Sequence, residues 1–300
     1  MSDESNQPKR MTLPMATPAA PTSQAPPGAV SRAIPGIKHI IAVGAGKGGV
    51  GKTTVSVNLA IALTRSGSRV GIIDADVYGP NVPMMLGISS QLESDGKKIV
   101  PAEKYGIRVV SMGFLADEKA PLIWRGPMLH GVVRQFVQDV RWGELDYLVV
   151  DMPPGTGDVA LSLSQTVPVS GAVVVTTPQK VSLADSRRAV AMYEKLNIPT
   201  LGIIENMSYY VCPGCEQEAD LFGKGGGVQI AEELNVPFLG QIPLCTPIRV
   251  GGDTGAPIVS VEPDSPGGQA FLQATERTVD QLSIASKKPL APLVAPPVNK

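Results

Sequence analysis

A glycine-rich loop constrains the fold of this chain more strongly than any other feature of its sequence. The loop reads Gly46-Lys47-Gly48-Gly49-Val50-Gly51-Lys52-Thr53-Thr54. It follows a short apolar run, His39–Val43, and precedes a segment whose apolar residues recur at helical spacing. This is the G-x-x-x-x-G-K-[ST] pattern between a strand and a helix, where backbone N–H groups and the helix dipole favour phosphate oxygens. The loop therefore predicts a nucleotide site in which Lys52 neutralises phosphate charge and Thr53 ligates Mg²⁺.

Short apolar runs alternate with helical segments along the rest of the chain. The further predicted strands are Val70–Ile73, Ile107–Met112, Tyr147–Val150, Ala172–Thr176, Leu201–Ile204 and Phe238–Ile242. The predicted helices are Met128–Arg141, Ser182–Leu196, Val228–Leu234 and Gln269–Ser283. Ser182, with Asp185 three residues later, predicts the N-cap of the second of these helices. The alternation indicates an α/β fold: a doubly wound, mostly parallel sheet with helices on both faces.

Composition suggests where the folded part begins and ends. Apolar residues make up 43% of the 300 residues, which is enough for a sizeable core. Residues 1–36 hold seven prolines and no aromatic residue, and the prolines return from about residue 287. Such stretches cannot bury enough surface to offset their chain entropy. We expect disordered proline-rich tails over 1–36 and 287–300, and one nucleotide-binding domain over 37–286.

Charge and cysteine content exclude several classes of protein. The net charge of −1 argues against binding nucleic acid or an anionic membrane through bulk charge. No apolar run approaches the roughly 18 residues of a membrane span. Three cysteines and two histidines are too few for a disulfide framework or a multi-histidine metal cage. We therefore expect neither nucleic acid nor membrane as a partner, and a reducing, cytoplasmic location.

Carboxylates follow two of the predicted strands. Asp74 and Asp76 leave the second strand two residues apart, a spacing that can hold a metal-bound water and orient an attacking one. Asp151 follows the Tyr147–Val150 strand. An acid at this position is typical of the residue that coordinates Mg²⁺ through water in nucleotide sites. Prolines and glycines follow it, and the bare backbone at Gly155 can approach a γ-phosphate. This stretch predicts a switch that distinguishes ATP from ADP.

A cysteine pair lies farther along the chain. Cys212-Pro213-Gly214-Cys215 directs two thiolates at one centre, as zinc and iron–sulfur sites require. Two cysteines do not complete a four-thiolate site, but a symmetric dimer would bring two pairs together at its axis. A thioredoxin-like redox pair, a bridging zinc and a purely structural turn remain alternatives. The third cysteine, Cys245, is expected to be a small buried apolar residue.

Five motifs together resemble one known family. In order, KGGVGKTT, DADVYGPN, DMPPGTGD, ENMS and CPGC look like the Mrp/ApbC family of P-loop iron–sulfur cluster carriers, over residues 38–285. The loop with its extra lysine is similar to the deviant Walker A loop of the MinD, ParA and nitrogenase iron protein class. The CPGC pair separates the resemblance from MinD and ParA. The resemblance implies slow ATP hydrolysis, a homodimer, and a labile [4Fe–4S] cluster between subunits for delivery to apo-proteins.

The resemblance also implies roles for individual residues. Lys47 would reach the partner subunit's nucleotide, Asp76 would lie near the attacking water, and Asn206 would bind the adenine ring. The expected catalytic residues are Lys47, Lys52 and Asp76, and the expected metal ligands are Thr53 and Asp151 for Mg²⁺ and Cys212 and Cys215 for the cluster. The expected nucleotide-binding residues are Gly46, Lys47, Gly48, Gly49, Val50, Gly51, Lys52, Thr53, Thr54, Asp151, Gly155 and Asn206. The expected cofactors are ATP, Mg²⁺ and a [4Fe–4S] cluster.

Two other functions remain open at this point. A MinD- or ParA-like positioning ATPase would act on a membrane or DNA and should show a basic amphipathic terminal helix or a basic stripe. The predicted last helix, Gln269–Ser283, carries Arg277 as its one base. A zinc-bridged regulatory ATPase without cargo is the other alternative.

Overall fold

The computed structural model describes residues 33–287, apart from 78, 90–91, 95, 97, 115–125, 156, 213 and 216. The strands are β1 (Ile37–Gly44), β2 (Val70–Asp74), β3 (Glu93–Ser94), β4 (Ile99–Val100), β5 (Ala102–Lys104), β6 (Ile107–Ser111), β7 (Leu145–Asp151), β8 (Gly171–Thr176), β9 (Thr200–Glu205), β10 (Tyr210–Val211), β11 (Glu218–Ala219) and β12 (Phe238–Gln241). The α-helices are α1 (Lys52–Arg65), α2 (Val82–Leu86), α3 (Gly126–Gln138), α4 (Asp158–Thr166), α5 (Lys180–Lys195), α6 (Gly226–Glu233), α7 (Thr246–Thr254), α8 (Ile258–Val261) and α9 (Pro266–Lys287).

Eight of these strands form one sheet in the order β12-β9-β8-β1-β7-β2-β6-β5. All neighbours run parallel except β5, which pairs antiparallel with β6 at the edge. After β1 the chain forms β2 and β6 on one side, returns as β7 between β1 and β2, and then continues through β8, β9 and β12 on the other side. The direction of winding thus reverses at β1, and ligands bind at the carboxyl ends of the strands next to such a reversal. The predicted doubly wound, mostly parallel sheet is confirmed.

The core consists of two apolar layers, one on each face of the sheet. Alternate residues of β1 divide between them: Ile40 and Ala42 belong to one layer, and Ile41 and Val43 to the other. Helices α1 and α9 supply buried residues to the layer of Ile41 and Val43, whereas α3 to α6 supply the opposite layer. Strands that are apolar on both faces require this double cover, because each face must be removed from water.

The seven predicted strands are present, and the short elements between them account for most differences. Strands β3, β4, β5, β10 and β11 have two or three residues each, too few to show an alternating pattern. The predicted N-cap at Ser182 is wrong, because α5 begins at Lys180 with Gln179 at the N-cap. The Ser182 hydroxyl instead lies inside the first turn and accepts a hydrogen bond from the Thr177 N–H at 3.1 Å.

The ends of the described chain lie close to the predicted domain limits. Ile34 packs against the core, and the Leu145 N–H donates to the Gly36 carbonyl at 2.7 Å. Residues 1–32 and 288–300 lie outside the described residues, so the two disordered tails and the domain limits stay predictions. Within the described ranges, no helix combines the length and apolar character needed to cross a membrane.

Candidate nucleotide and cysteine sites

The predicted site residues lie at the carboxyl edge of the sheet. The glycine-rich loop follows β1, Asp74 ends β2, Asp151 ends β7 and Asn206 follows β9. The strand register places Asp151 opposite both Val43 and Asp74. Segments far apart in sequence therefore meet around the start of α1.

The loop backbone is open toward a phosphate. Helix α1 begins at Lys52, and no side chain caps its first turn, so its N–H groups are available to an anion. Gly51 has φ +80°, and a Cβ there would overlap the side-chain nitrogen of Asn206. Only glycine satisfies both the left-handed conformation and this close approach.

Asp151 is the centre of a buried polar cluster. Its Oδ1 accepts hydrogen bonds from Lys52 Nζ at 2.8 Å and Ser56 Oγ at 2.6 Å, and its Oδ2 accepts one from Thr53 Oγ1 at 2.8 Å. Both Asp151 and Lys52 are buried, so the pair depends on these additional donors. The adjacent carboxylate and Thr53 hydroxyl are hard oxygen donors of the kind that Mg²⁺ prefers, so the donor set fits that ion.

Ser56 was not predicted from the sequence. It lies one helical turn after Lys52, and its hydroxyl also donates to the Lys52 carbonyl at 3.0 Å. The i, i+4 spacing from the loop lysine is the signal that places both side chains on one face of α1. The partner of Ser56 could not be found in this way, because Asp151 is 95 residues away.

Asp74 and Asp76 occupy different environments. Burial raises the pKa of Asp74 to about 7, and the charge of Asp151 acts in the same direction. Asp74 accepts hydrogen bonds from Ser111 Oγ at 2.9 Å and from the N–H groups of Val82 and Asp76 at 3.1 Å. The Asp76 carboxylate lies 4.0 Å from Lys52 Nζ. Asp74 therefore shapes the turn after β2, whereas Asp76 is a second carboxylate near Lys52, farther from its Nζ than Asp151 is.

Lys47 belongs to the loop, and the proline- and glycine-rich stretch after β7 lies against it. Lys47 is half-buried and makes no hydrogen bond or ion pair with the other described residues. The Gly155 N–H donates to the Ala45 carbonyl at 3.4 Å, which joins the stretch predicted to be a switch to the start of the loop. A Cβ on Gly48 would lie 3.8 Å from that of Pro154. Thr156 lies outside the described residues.

Asn206 contacts the glycine-rich loop directly. Its side-chain amide donates to the Val50 carbonyl at 2.8 Å, and its backbone N–H donates to the Thr176 carbonyl at 2.8 Å. The side chain is buried. Its predicted role toward adenine stays a prediction, but its position beside the loop suits a residue that responds to nucleotide.

The cysteine pair lies at the tip of a hairpin formed by β10 and β11. Cys212 is half-buried and Cys215 is exposed. The backbone N–H groups of Gly214 and Cys215, and then the Cys215 thiol, donate to the Cys212 sulfur and lower the pKa of that thiol. Such a turn favours a thiolate, the form of cysteine that binds metals.

Cys245 differs from the pair. Burial raises the pKa of its thiol, and a Cβ on Gly267 of α9 would lie 3.3 Å from its sulfur. Cys245 is half-buried and packs against the core, so the apolar packing predicted there is present but its full burial is not. Across the described ranges, no group of three or more His, Cys, Asp or Glu residues could hold a metal ion. Among the residues that the structure describes, Cys212 and Cys215 are therefore a pair of possible ligands without a third.

The fold and the loop define a P-loop NTPase. A ParA model described as "NUBPL iron-transfer P-loop NTPase" matches residues 36–279, and the chain belongs to this family. The resemblance seen in the sequence is thereby confirmed.

Relatives and solved structures agree with this assignment. The iron–sulfur cluster carrier protein of Synechocystis sp. is 51% identical over 256 residues, which are 83% of this chain and 72% of the relative. That of Escherichia coli is 45% identical over 251 residues, 83% of this chain and 68% of the relative. A nucleotide-binding protein from Archaeoglobus fulgidus in complex with ADP has a TM-score of 0.68 at 37% identity, covering 79% of this chain and 92% of its own. Pyrococcus furiosus MinD has a TM-score of 0.63 at 25% identity, covering 81% and 98%.

Proposed function

We propose that this protein binds and slowly hydrolyses ATP and carries a [4Fe–4S] cluster that it delivers to apo-proteins. In this proposal Cys212 and Cys215 hold the cluster together with the same pair of a second subunit. The observation that carries it is the position of two free cysteines, at the tip of the β10–β11 hairpin that follows the carboxyl end of β9. The carrier proteins of Synechocystis and E. coli, at 51% and 45% identity, support the cargo.

The geometry of the hairpin suits cargo that has to leave. The Cys212 sulfur is stabilised as a thiolate by neighbouring N–H groups, whereas Cys215 is exposed to solvent. A cluster bound at this surface can be reached by a recipient protein. Ligands that are shared across a non-covalent interface are lost when the interface opens, which accounts for a labile cluster.

An apolar surface next to the hairpin supports a second subunit. We call it the apolar patch: Leu221 is 57% exposed, Phe222 36% and Val181 67%. The segment of Leu221 and Phe222 is a neighbour of the segment of Val181, because a Cβ on Gly223 would lie 3.9 Å from the Cβ of Pro178. Exposed apolar patches on a globular domain commonly mark a protein interface. A second copy covering this patch would also place the two cysteine pairs near each other.

ATP hydrolysis would use the residues around the start of α1. Lys52 and the N–H groups of α1 bind the phosphates, and Asp76, beside Lys52, orients the attacking water. Mg²⁺, held by Thr53 and Asp151, would neutralise phosphate charge when bound. Lys47, which has no partner among the described residues of its own chain, would extend to the nucleotide of the second subunit.

Metal analysis tests the proposal. The protein is purified and reconstituted anaerobically with iron and sulfide, and then iron, sulfide, zinc and molecular mass are measured. We expect about four irons per dimer, and loss of iron in Cys212→Ser and Cys215→Ser with nucleotide binding unchanged. Cys245→Ser is the matched control and should keep its iron. Stoichiometric zinc would instead support a zinc-bridged ATPase, and a monomer fully loaded with iron would exclude the shared site.

A positioning ATPase is the second candidate, because P. furiosus MinD shares the fold. It predicts cosedimentation with anionic vesicles or DNA when MgATP is present. Such binding by a protein that takes up no iron would favour this candidate over the carrier.

A further inference from the structure

The segment from Asn206 to Cys212 connects the glycine-rich loop with the cysteine hairpin. Asn206 bonds to the loop carbonyl of Val50, and Cys212 starts the turn of the hairpin six residues later. Two backbone hydrogen bonds attach the stretch between Asn206 and Cys212 to the residues that follow β12. The Ser208 N–H donates to the Ile242 carbonyl at 3.0 Å, and the Leu244 N–H donates to the Tyr209 carbonyl at 2.7 Å.

Glu205, the last residue of β9, is fully buried directly before this segment. Its Oε1 accepts hydrogen bonds from Ser208 Oγ at 2.5 Å and Gln241 Nε2 at 3.2 Å, and its Oε2 accepts one from the Gly227 N–H. No Lys, Arg or His within the described ranges forms an ion pair with it. The carboxylate therefore depends on these neutral donors, and it joins the segment to the first turn of α6 and the end of β12.

The turn between Glu205 and Ser208 is strained and touches the loop. Met207 has φ +53°, a left-handed conformation that is unfavourable for a residue other than glycine and persists only when its surroundings hold it. The Glu205–Ser208 hydrogen bond closes the turn around Met207. A Cβ on Gly51 would lie 3.7 Å from Met207 Cε, so the Met207 side chain lies beside the loop that Asn206 contacts through Val50.

We propose that Glu205 is a positioning residue that couples the nucleotide loop to the cysteine hairpin. Glu205 holds residues 205–208 as one rigid turn. A displacement of the loop at Asn206 or Met207 is therefore transmitted to the start of the hairpin, and it shifts the N–H groups around the Cys212 sulfur. The inference rests on the proposed function, in that it takes the loop as the nucleotide site and the hairpin as the cargo site. It requires no cluster to be bound.

The reactivity of Cys212 in the metal-free, reduced full-length protein tests the coupling. Alkylation by iodoacetamide is quantified at Cys212 by mass spectrometry, without nucleotide and with saturating MgADP or MgATP, and nucleotide affinity is measured separately. In the native protein we expect nucleotide to change the alkylation rate at Cys212 by about fivefold or more. Ser208→Ala removes one of the three hydrogen bonds to Glu205 and should abolish most of that change, while nucleotide affinity stays within about threefold.

Two further variants complete the test. Glu205→Gln removes the charge at nearly constant volume and should also reduce the nucleotide effect on Cys212; if it fails to fold, Ser208→Ala alone decides. Thr278→Val is the matched control, since it removes a buried hydroxyl that donates to the Ala274 carbonyl within α9, and it should keep the full effect. A general loss of packing would alter the Cys212 alkylation rate both with and without nucleotide, or it would alter the nucleotide affinity. It would not selectively remove the difference between the two rates.

The coupling is overturned if folded Ser208→Ala, with nucleotide bound, keeps the native change at Cys212. It is equally overturned if nucleotide binds the native protein and leaves the Cys212 rate unchanged. Failure of the proposed cargo function would be recognised separately, because absence of iron after reconstitution does not enter a measurement on metal-free thiols. Absence of nucleotide binding would contradict both the proposed function and the coupling through Glu205.

Discussion

At the scale of single residues, substitution of two glycines of the loop distinguishes the cost of a left-handed conformation from the cost of a steric overlap. Gly49 and Gly51 both have φ +80°, but a Cβ on Gly49 would meet nothing within 4 Å, whereas one on Gly51 would overlap Asn206. We expect Gly49→Ala to lower the free energy of unfolding by about 1 kcal/mol, from the left-handed conformation alone. Gly51→Ala should lower it by at least about 2 kcal/mol, because Asn206 must also move.

Denaturant unfolding of the two variants measures this difference. Nucleotide binding should weaken more in Gly51→Ala, where the displaced Asn206 lies beside the loop. Equal losses of stability in the two variants would contradict the close approach of Asn206 to Gly51.

The cysteines differ in a way that pH reveals. Donors from the turn lower the pKa of Cys212, while burial raises that of Cys245. Because the thiolate is the reactive form, alkylation of Cys212 should reach its half-maximal rate at a lower pH than alkylation of Cys245. The measurement is a pH profile of iodoacetamide modification at each cysteine in the metal-free protein. The opposite order of the two profiles would remove the support for a preformed thiolate turn.

At the scale of elements, Asp151 ties the start of α1 to the end of β7. Three side chains of α1, from Lys52, Thr53 and Ser56, donate to this single carboxylate. The phosphates of a bound nucleotide would compete with Asp151 for Lys52. The contact between Lys52 and Asp151 therefore stabilises the nucleotide-free protein, and in the proposed function the same lysine binds the phosphates.

Lys52→Met tests both roles of the lysine. Removing the cation leaves Asp151 buried without its charge partner, so the free energy of unfolding should fall by about 3 to 5 kcal/mol, and ATP hydrolysis should be lost. Lys38→Met is the matched control, because Lys38 pairs with Asp146 at 2.8 Å on the surface. Its effect on unfolding should be a small fraction of that loss. Persistent ATP hydrolysis by Lys52→Met would place nucleotide binding elsewhere.

At the scale of the whole molecule, the cysteine pair and the apolar patch lie in adjacent parts of the surface. The charged double variant Leu221→Glu/Phe222→Glu should prevent pairing of subunits and reduce bound iron after reconstitution, while each monomer still binds nucleotide. Ile284→Glu is the control, since Ile284 is an exposed apolar residue of α9 outside the apolar patch. Light scattering coupled to size exclusion measures the mass. An iron-loaded dimer of the double variant would show that another surface pairs the subunits.

The nucleotide loop, Asp151 and the cysteine pair could be predicted from local sequence. Each follows a short apolar run or stands in a compact motif, and parallel strands end at a common edge of the sheet. The short hairpins and the start of α5, in contrast, could not be predicted from local sequence. Two-residue strands show no periodicity, and the Ser182 hydroxyl bonds back to Thr177 rather than capping the helix.

The sequence by itself determined the family, the doubly wound sheet and the chemical types of the site residues, because periodicity and motif spacing are local properties of the chain. Only the tertiary structure decided which residues share a hydrogen-bond network. Ser56 meets Asp151 from 95 residues away, and Gln241 meets Glu205 from 36 residues away. Burial of Asp74 and Glu205 likewise depends on how separate strands and helices close around them, and no local pattern records that closure.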